Sequence, residues 1–359
     1  MIVGVPKEIK SSEFRVGITP ATGARIVNEK HTLIVEKNAG IGIGASDEDY
    51  KKIGAQIAEN AADVFAKSEM IVKVKEPQEP EWKMLNEGQI LFTYLHLAAD
   101  PNQADGLMKS KCHAIAYETI TDNKGTLPLL APMSEIAGRL AVFEGAYHSK
   151  KTTGGPGSLI SGVPGVKPSK VVILGGGMVG TNAAHMATGV GADVTIFDKS
   201  IDRLRYLNDI FGNSAKVLYS EKVTLEEQLS DADLVIGAVL IPGASAPKLI
   251  DKKFLSKMKK NAVLVDVAID QGGCFETSRP TTHNDPTYVV DDIIHYCVAN
   301  MPGSVPKTAS NALNNVTGDY ILKLATHGMN ALEQDKNLAM GLNVSNGIIT
   351  HDAVKSALG

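Results

Sequence analysis

The chain has 359 residues, 43% of them hydrophobic and 21% charged, with a formal net charge of −4. Its length predicts about two domains, each able to bury a core. The charge gives no reason to expect nucleic acid or an anionic membrane as partner. No apolar run reaches the roughly 18 residues that span a bilayer. The opening MIVGVPKEIK lacks the basic and long apolar regions of a secretory signal. Cys112, Cys274 and Cys297 are odd in number and widely spaced, which fits neither a disulfide framework nor a zinc cage. A cytoplasmic chain with reduced thiols is expected.

Short apolar runs alternate with amphipathic, charge-flanked segments, the pattern of βαβ units and a mostly parallel sheet. IVGVP, TLIVEK, MIVKVK, QILFTYL and HAIAYE read as strands of the first third. Between them SDEDYKKIG reads as a helix that Ser46 caps, with Asp47, Glu48 and Asp49 at its positive end. SEIAGRLAVFEGAYHSKK predicts a long helix with Ser134 as its cap, long enough to bridge two domains. The Gly- and Pro-dense TTGGPGSLISGVPGVKP that follows is a loop or linker. KVVIL, VTIFD, KVLY, LVIGAV, AVLVDVAI and HYCVANM then make the strands of one doubly wound nucleotide-binding domain. KTASNALNNVTGDYILKLATHG is another long helix, and the remaining tail is too short to fold alone, so it packs on the first domain. The fold class read this way is α/β: two Rossmann-like domains with mostly parallel sheets, joined by long helices around an interdomain cleft. Residues 1–133 and 307–359 form one domain and 134–306 the other.

KVVILGGGMVGTNAAHMA supplies strand, turn and helix in order, with Gly175, Gly177 and Gly180 in a G-x-G-x-x-G pattern. Such glycines permit a sharp turn, admit a pyrophosphate to the backbone and let helix and strand pack closely. Asp198 ends the next strand, where an acid accepts hydrogen bonds from ribose hydroxyls and repels a 2′-phosphate. A dinucleotide cofactor follows, NAD in preference to NADP, with the nearby Arg203 the one feature against that preference. In VLVDVAIDQGGCFETSRPTT the apolar run stops at Asp270. An acid beyond a strand's carboxyl end faces the ligand crevice of an open α/β sheet; a turn-initiating Asp is the equal alternative.

In the first domain Arg15 follows the first strand, Lys75 follows MIVKV and His96 follows ILFTYL. Singly these read as a surface salt bridge, a solvated tip and a packing imidazole. Jointly, with Asp270, they suit an α-keto or α-amino acid. Arginine and lysine answer a carboxylate, and histidine moves the proton that accompanies hydride transfer.

KEIKSSEFRVGITP, VKEP, ILFTYLHLAA, AYETI, LPLLAPMSEIAGR, SGVPGVKP, LGGGMVG, DLVIGAVLIPGA, VDVAIDQGGCFETSRPTTH and YCVANMPGSVPKT, in this order, resemble the alanine dehydrogenase family through essentially the whole chain. The resemblance implies reversible, NAD-dependent oxidative deamination of L-alanine to pyruvate and ammonia in a two-domain subunit of a homohexamer. By motif it implies Arg15 and Lys75 as substrate-binding residues, His96 as general acid/base and Asp270 as its assistant. It also puts Ser134, Met178, Val179, Asp198, Arg203, Ser220, Val239, Leu240, Asp270, Arg279, Val298 and Met301 along the dinucleotide site. At the late helix some members carry an acid four residues before a histidine as a metal pair. Here those positions are Lys323 and His327, and an ammonium is no cation ligand, so no metal is expected there. The rivals are the related transhydrogenase subunit, the same fold with another small amino acid, and an NAD sensor with a degenerate site.

Overall fold

The structure is a computed structural model that describes residues 1–239 and 246–358. The strands are β1 (Ile2–Val5), β2 (Thr32–Glu36), β3 (Gln56–Ala58), β4 (Met70–Val72), β5 (Ile90–Thr93) and β6 (His113–Ala116) in the first third. The middle supplies β7 (Lys170–Leu174), β8 (Asp193–Asp198), β9 (Ala215–Tyr219), β10 (Leu234–Gly237), β11 (Val263–Asp266), β12 (Thr287–Val290) and β13 (Ile293–Tyr296), and the end β14 (Leu342–Ser345) and β15 (Ile348–Ile349). The chain divides into two compact units, Met1–Pro132 with Gly303–Gly359, and Met133–Pro302. The first boundary falls in the opening turn of the helix Ala131–His148, and the second just ahead of the helix Pro306–His327.

The first unit is built on an eight-stranded sheet in the order β15-β14-β6-β5-β4-β1-β2-β3. The strands from β6 through β3 in that order are mutually parallel, and β14 joins β6 antiparallel. Strands of this kind are covered on both faces and so read as unbroken apolar runs; every residue of β4 and β5 is buried. Helices start where local chemistry starts them. Ser46 and Asp49 form a reciprocal capping box at the helix Asp47–Lys52. Thr19 and Asp100 cap helices whose first residues are Pro20 and Pro101.

The second unit holds a seven-stranded sheet, β12-β13-β11-β10-β7-β8-β9, parallel except for the antiparallel edge pair β12–β13. The helix Met178–Gly189 follows β7, and Ile201–Phe211 follows β8. Val171, Ile173, Ala183, Ala184, Val194, Ile196, Leu234, Ile236, Val263 and Val265 make a core from the sheet and its first helix.

Two mostly parallel sheets with flanking helices are as expected, and the tail does pair with the first unit through β14. Several limits differ. QILFTYL is a strand only to Thr93, so His96 stands beyond it in a left-handed conformation, φ 49° and ψ 37°. AVLVDVAI leaves the sheet at Asp266, and Asp270 lies in a single 3-10 turn, Ile269–Gln271. HYCVANM is strand only at its start, the strand having begun at Ile293. The long helix begins at Ala131, which puts Ser134 inside the first turn rather than at the cap. Short β3 and β14 and the edge strands β12 and β15 gave too little apolar alternation to be read from the sequence.

Candidate active site

In the first unit the chemistry gathers beyond the carboxyl ends of β1, β4, β5 and β6, neighbours in one parallel sheet. Arg15 is only 2% exposed. Glu13 grips its guanidinium through both carboxylate oxygens, at 2.7 Å to Nε and 2.6 Å to Nη2. That fork fixes the orientation of the cation. Lys75 is buried, its Nζ 3.4 Å from Glu76 Oε2, and its backbone carbonyl accepts the Thr93 hydroxyl at 2.9 Å. Burial would raise the Glu76 carboxyl, but Lys75, His96 and Lys10 together outweigh it and hold the group below its ordinary range.

The His96 side chain is 40% exposed. Its ring stacks parallel to that of Tyr94, centroids 5.9 Å apart, while the Tyr94 hydroxyl donates to the Leu129 carbonyl at 2.5 Å. The Glu118 carboxylate, at the end of β6, accepts the Leu95 N–H at 3.1 Å and the His96 N–H at 2.6 Å, and lies 4.0 Å from His96 Nδ1. A positive φ in a non-glycine residue costs energy and persists only where its surroundings impose it. Here one carboxylate and one aromatic ring impose it.

Below these groups Lys73, wholly buried, bridges Glu8 at 2.9 Å and Glu81 at 2.7 Å. Burial alone would lower the Lys73 ammonium, yet the two carboxylates hold it above its ordinary value. Glu8 also accepts the Val74 N–H at 2.7 Å, so it sets the course of the backbone leading to Lys75.

In the second unit the glycine turn follows β7 and Asp198 ends β8, at the carboxyl edge of the sheet. Gly175 turns the chain after β7 with φ +96°. A Cβ on Gly180 would stand 1.8 Å from the Gly175 carbonyl oxygen, whereas one on Gly177 would touch nothing. The helix starting at Met178 has Gly177 at its cap with no side chain bonded there. Its first amides, including those of Met178 and Val179, therefore form an open N-terminal anion site. Asp198, the last residue of β8, accepts the Gly176 N–H at 2.8 Å through Oδ2 and the Ser200 N–H at 2.8 Å through Oδ1. Arg203 is turned toward the loop instead of out to solvent. Its Nε donates to the Gly176 carbonyl and its Nη2 to the Thr181 hydroxyl at 2.6 Å, so it braces the glycine turn. Open space at Gly177, tight packing at Gly180 and an acid at the end of β8 together fit a dinucleotide pyrophosphate and ribose.

Ser220 follows β9 and donates its amide to the Asp198 carbonyl. Val239 follows β10, and Val298 and Met301 are buried beyond β13. Leu240 lies outside the described residues. Arg279 lies over the Tyr288 ring, 4.0 Å from its centroid. Ser134 sits one helical turn before Gly138, where a Cβ would be 2.2 Å from the Val179 carbonyl. The helix thereby runs close against the start of Met178–Gly189.

Two family domains match, alanine dehydrogenase/PNT N-terminal domain over residues 4–137 and alanine dehydrogenase/PNT C-terminal domain over residues 141–352. The chain belongs to the alanine dehydrogenase/PNT family. It is 53% identical to the alanine dehydrogenase of Halomonas elongata, a comparison that covers 100% of this chain and 97% of that one. A solved L-alanine dehydrogenase superposes with a TM-score of 0.97 at 51% identity, covering 99% of each chain. A transhydrogenase from Sinorhizobium meliloti superposes with a TM-score of 0.84 at 22% identity, over 98% of this chain and 100% of that one; this likeness concerns the fold.

Within this member of the alanine dehydrogenase/PNT family, Tyr94, Glu118, Glu8 and Lys73 were not marked by sequence reasoning. Tyr94 and Glu118 stood in quoted motifs, ILFTYLHLAA and AYETI, but nothing local shows that a ring or carboxylate will meet His96. Lys73 had one available signal, a lysine inside an apolar strand run, which must find a carboxylate. At the late helix Lys323 Nζ pairs with Asp335 at 2.6 Å. Among the described residues no helix is long and apolar enough to cross a membrane.

Proposed function

We propose that this chain is an NAD-dependent L-alanine dehydrogenase, interconverting L-alanine with pyruvate and ammonia. The observation that carries the reading is the full-length likeness to alanine dehydrogenases, 53% identity in one and 51% in a solved structure. Arg15 and Lys75 bind the substrate carboxylate and the neighbouring oxygen, the first with its orientation fixed by Glu13. NAD, when bound, accepts the hydride from the substrate Cα. The Gly175–Gly180 turn and the first amides of its helix receive the pyrophosphate, Asp198 the adenosine ribose, and Arg203 keeps the turn rigid. Ser134, Met178, Val179, Ser220, Val239, Leu240, Arg279, Val298 and Met301 complete the cofactor's surroundings.

His96 is the general acid/base. In deamination it takes a proton from the water that adds to the substrate imine, and it returns that proton as the C–N bond breaks and ammonia leaves. Its exposed ring reaches water, while Tyr94 and Glu118 keep it from swinging. Asp270 assists this proton transfer. No metal is proposed at the late helix, where Lys323 takes the place of an acid and pairs with Asp335. A cytoplasmic homohexamer completes the proposal.

The test follows NADH absorbance with NAD and a panel of L-amino acids, using the wild-type chain and His96→Asn. Asparagine tolerates the left-handed backbone, so the loop is kept and the imidazole lost. Turnover with L-alanine that falls by about 10²-fold or more in the variant supports the assignment. Activity confined to another amino acid overturns the substrate, and near-normal turnover in His96→Asn overturns the catalytic role.

A further inference from the structure

The segment between β11 and Ser278 carries Asp270, and a single carboxylate beneath it fastens both of its ends. Asp266, the last residue of β11, is fully buried. Its Oδ1 accepts the Ala268 N–H at 3.2 Å. Its Oδ2 accepts the Cys274 N–H at 2.7 Å, the Phe275 N–H at 3.4 Å and the Ser278 hydroxyl at 2.5 Å. Every one of these partners is a donor, and an ionised carboxylate is the small side chain that only accepts. Between the two attachments the chain doubles back through Gly272 and Gly273, with φ of +87° and +79°. A Cβ on Gly273 would come within 2.5 Å of Asp266 Oδ2, so glycine is what lets the backbone pass over the carboxylate. The outer side of the same segment is held by the Ala246 N–H on the Gln271 carbonyl at 3.0 Å, the Leu249 N–H on the Cys274 carbonyl at 2.7 Å, and the Lys248 ammonium, which donates to the Gly272, Gly273 and Phe275 carbonyls.

We propose that Asp266 is a positioning residue for the reaction: by gathering the Ala268, Cys274, Phe275 and Ser278 donors it holds the 3-10 turn that presents Asp270. The inference rests on the assignment of Asp270 above. Asp266 itself is sealed from solvent and acts through the loop. Replacing it by asparagine keeps the shape and turns one oxygen into an NH2 group. Placed at the Oδ2 position that group confronts the Cys274 N–H; placed at the Oδ1 position it confronts the Ala268 N–H. Either way a buried donor loses its acceptor.

The experiment compares the full chain with Asp266→Asn, Ser278→Ala and Asp270→Asn, reading kcat and KM for L-alanine together with amide hydrogen exchange of residues 267–278. Asp266→Asn is expected to lower kcat by about 10- to 100-fold, the scale of a misplaced reacting group. KM stays within about threefold, since binding of the substrate is untouched. Exchange quickens in this loop and nowhere else. Ser278→Ala, which removes one donor and leaves the carboxylate, moves both readouts the same way but less. Wild-type kcat and exchange in Asp266→Asn overturn the proposal, as they do in Ser278→Ala if the first variant fails to fold. Exchange quickened across the whole chain, with kcat unchanged per folded molecule, overturns it as well. Wild-type turnover in Asp270→Asn instead sinks the assignment of Asp270, whatever Asp266→Asn does to the loop.

Discussion

Gly177→Ala separates cofactor binding from folding. Gly177 has φ −64° and ψ −160°, a conformation open to alanine, and its added Cβ would meet no atom within 4 Å. The fold therefore loses nothing, and restricting the unfolded chain adds about 0.4–1 kcal/mol of stability. The space that the Cβ fills is the one through which a pyrophosphate approaches the backbone. An affinity loss of about 100-fold, or roughly 2.8 kcal/mol, is expected. At an NAD concentration of about 100 times the wild-type Kd, the cofactor stabilises the wild type by ~2.7 kcal/mol. For the variant the same concentration equals its Kd, and the stabilisation shrinks to ~0.4 kcal/mol. Gly180→Ala is the contrasting control. Its Cβ would fall 1.8 Å from the Gly175 carbonyl oxygen, so the turn must open, at about 1–3 kcal/mol or more even without NAD. Thermal unfolding with and without NAD reads both. Full NAD-induced stabilisation in Gly177→Ala would refute the placement of the pyrophosphate.

Lys73→Met leaves Glu8 and Glu81 buried without their shared cation; a loss of about 3–5 kcal/mol is expected in denaturant unfolding, and a loss under 1 kcal/mol would show the cluster to be solvated. His295 is fully buried between the Ile293 carbonyl and the Thr277 hydroxyl, at 3.0 Å and 2.8 Å. Burial outweighs the Ile293 carbonyl and lowers its pKa below 6.5, so the folded state resists a proton that the unfolded state takes. Its contribution is complete above pH 6.5 and declines as the pH falls toward the folded value. Unfolding measured across pH 7.5 to 5.5 should therefore show a smaller acid loss in His295→Gln than in the wild type; equal slopes would contradict this.

Much of the chain was legible because its signals are local. Strands buried on both faces must be unbroken apolar runs, and Ser46 with Asp49 spells out a helix start within four positions. The glycine turn was readable for the same reason: Gly175, Gly177 and Gly180 answer steric demands made by atoms only a few residues away. Edge strands such as β12 and β15 were not, since a few residues with one partner need little apolar periodicity.

Sequence alone therefore determined the α/β class, the dinucleotide turn and the residue types suited to an amino acid and NAD. Tertiary structure decided how those residues are held. His96 is off its strand in a left-handed conformation, kept there by Glu118 and Tyr94. Arg203, read as the one feature against NAD, braces the glycine turn, and Asp270 stands on a turn fastened by Asp266. Each of these depends on a carboxylate, carbonyl or ring brought from a distant part of the chain. Periodicity reports which face of an element is buried; it carries no record of which distant polar group will arrive to satisfy a buried donor or charge.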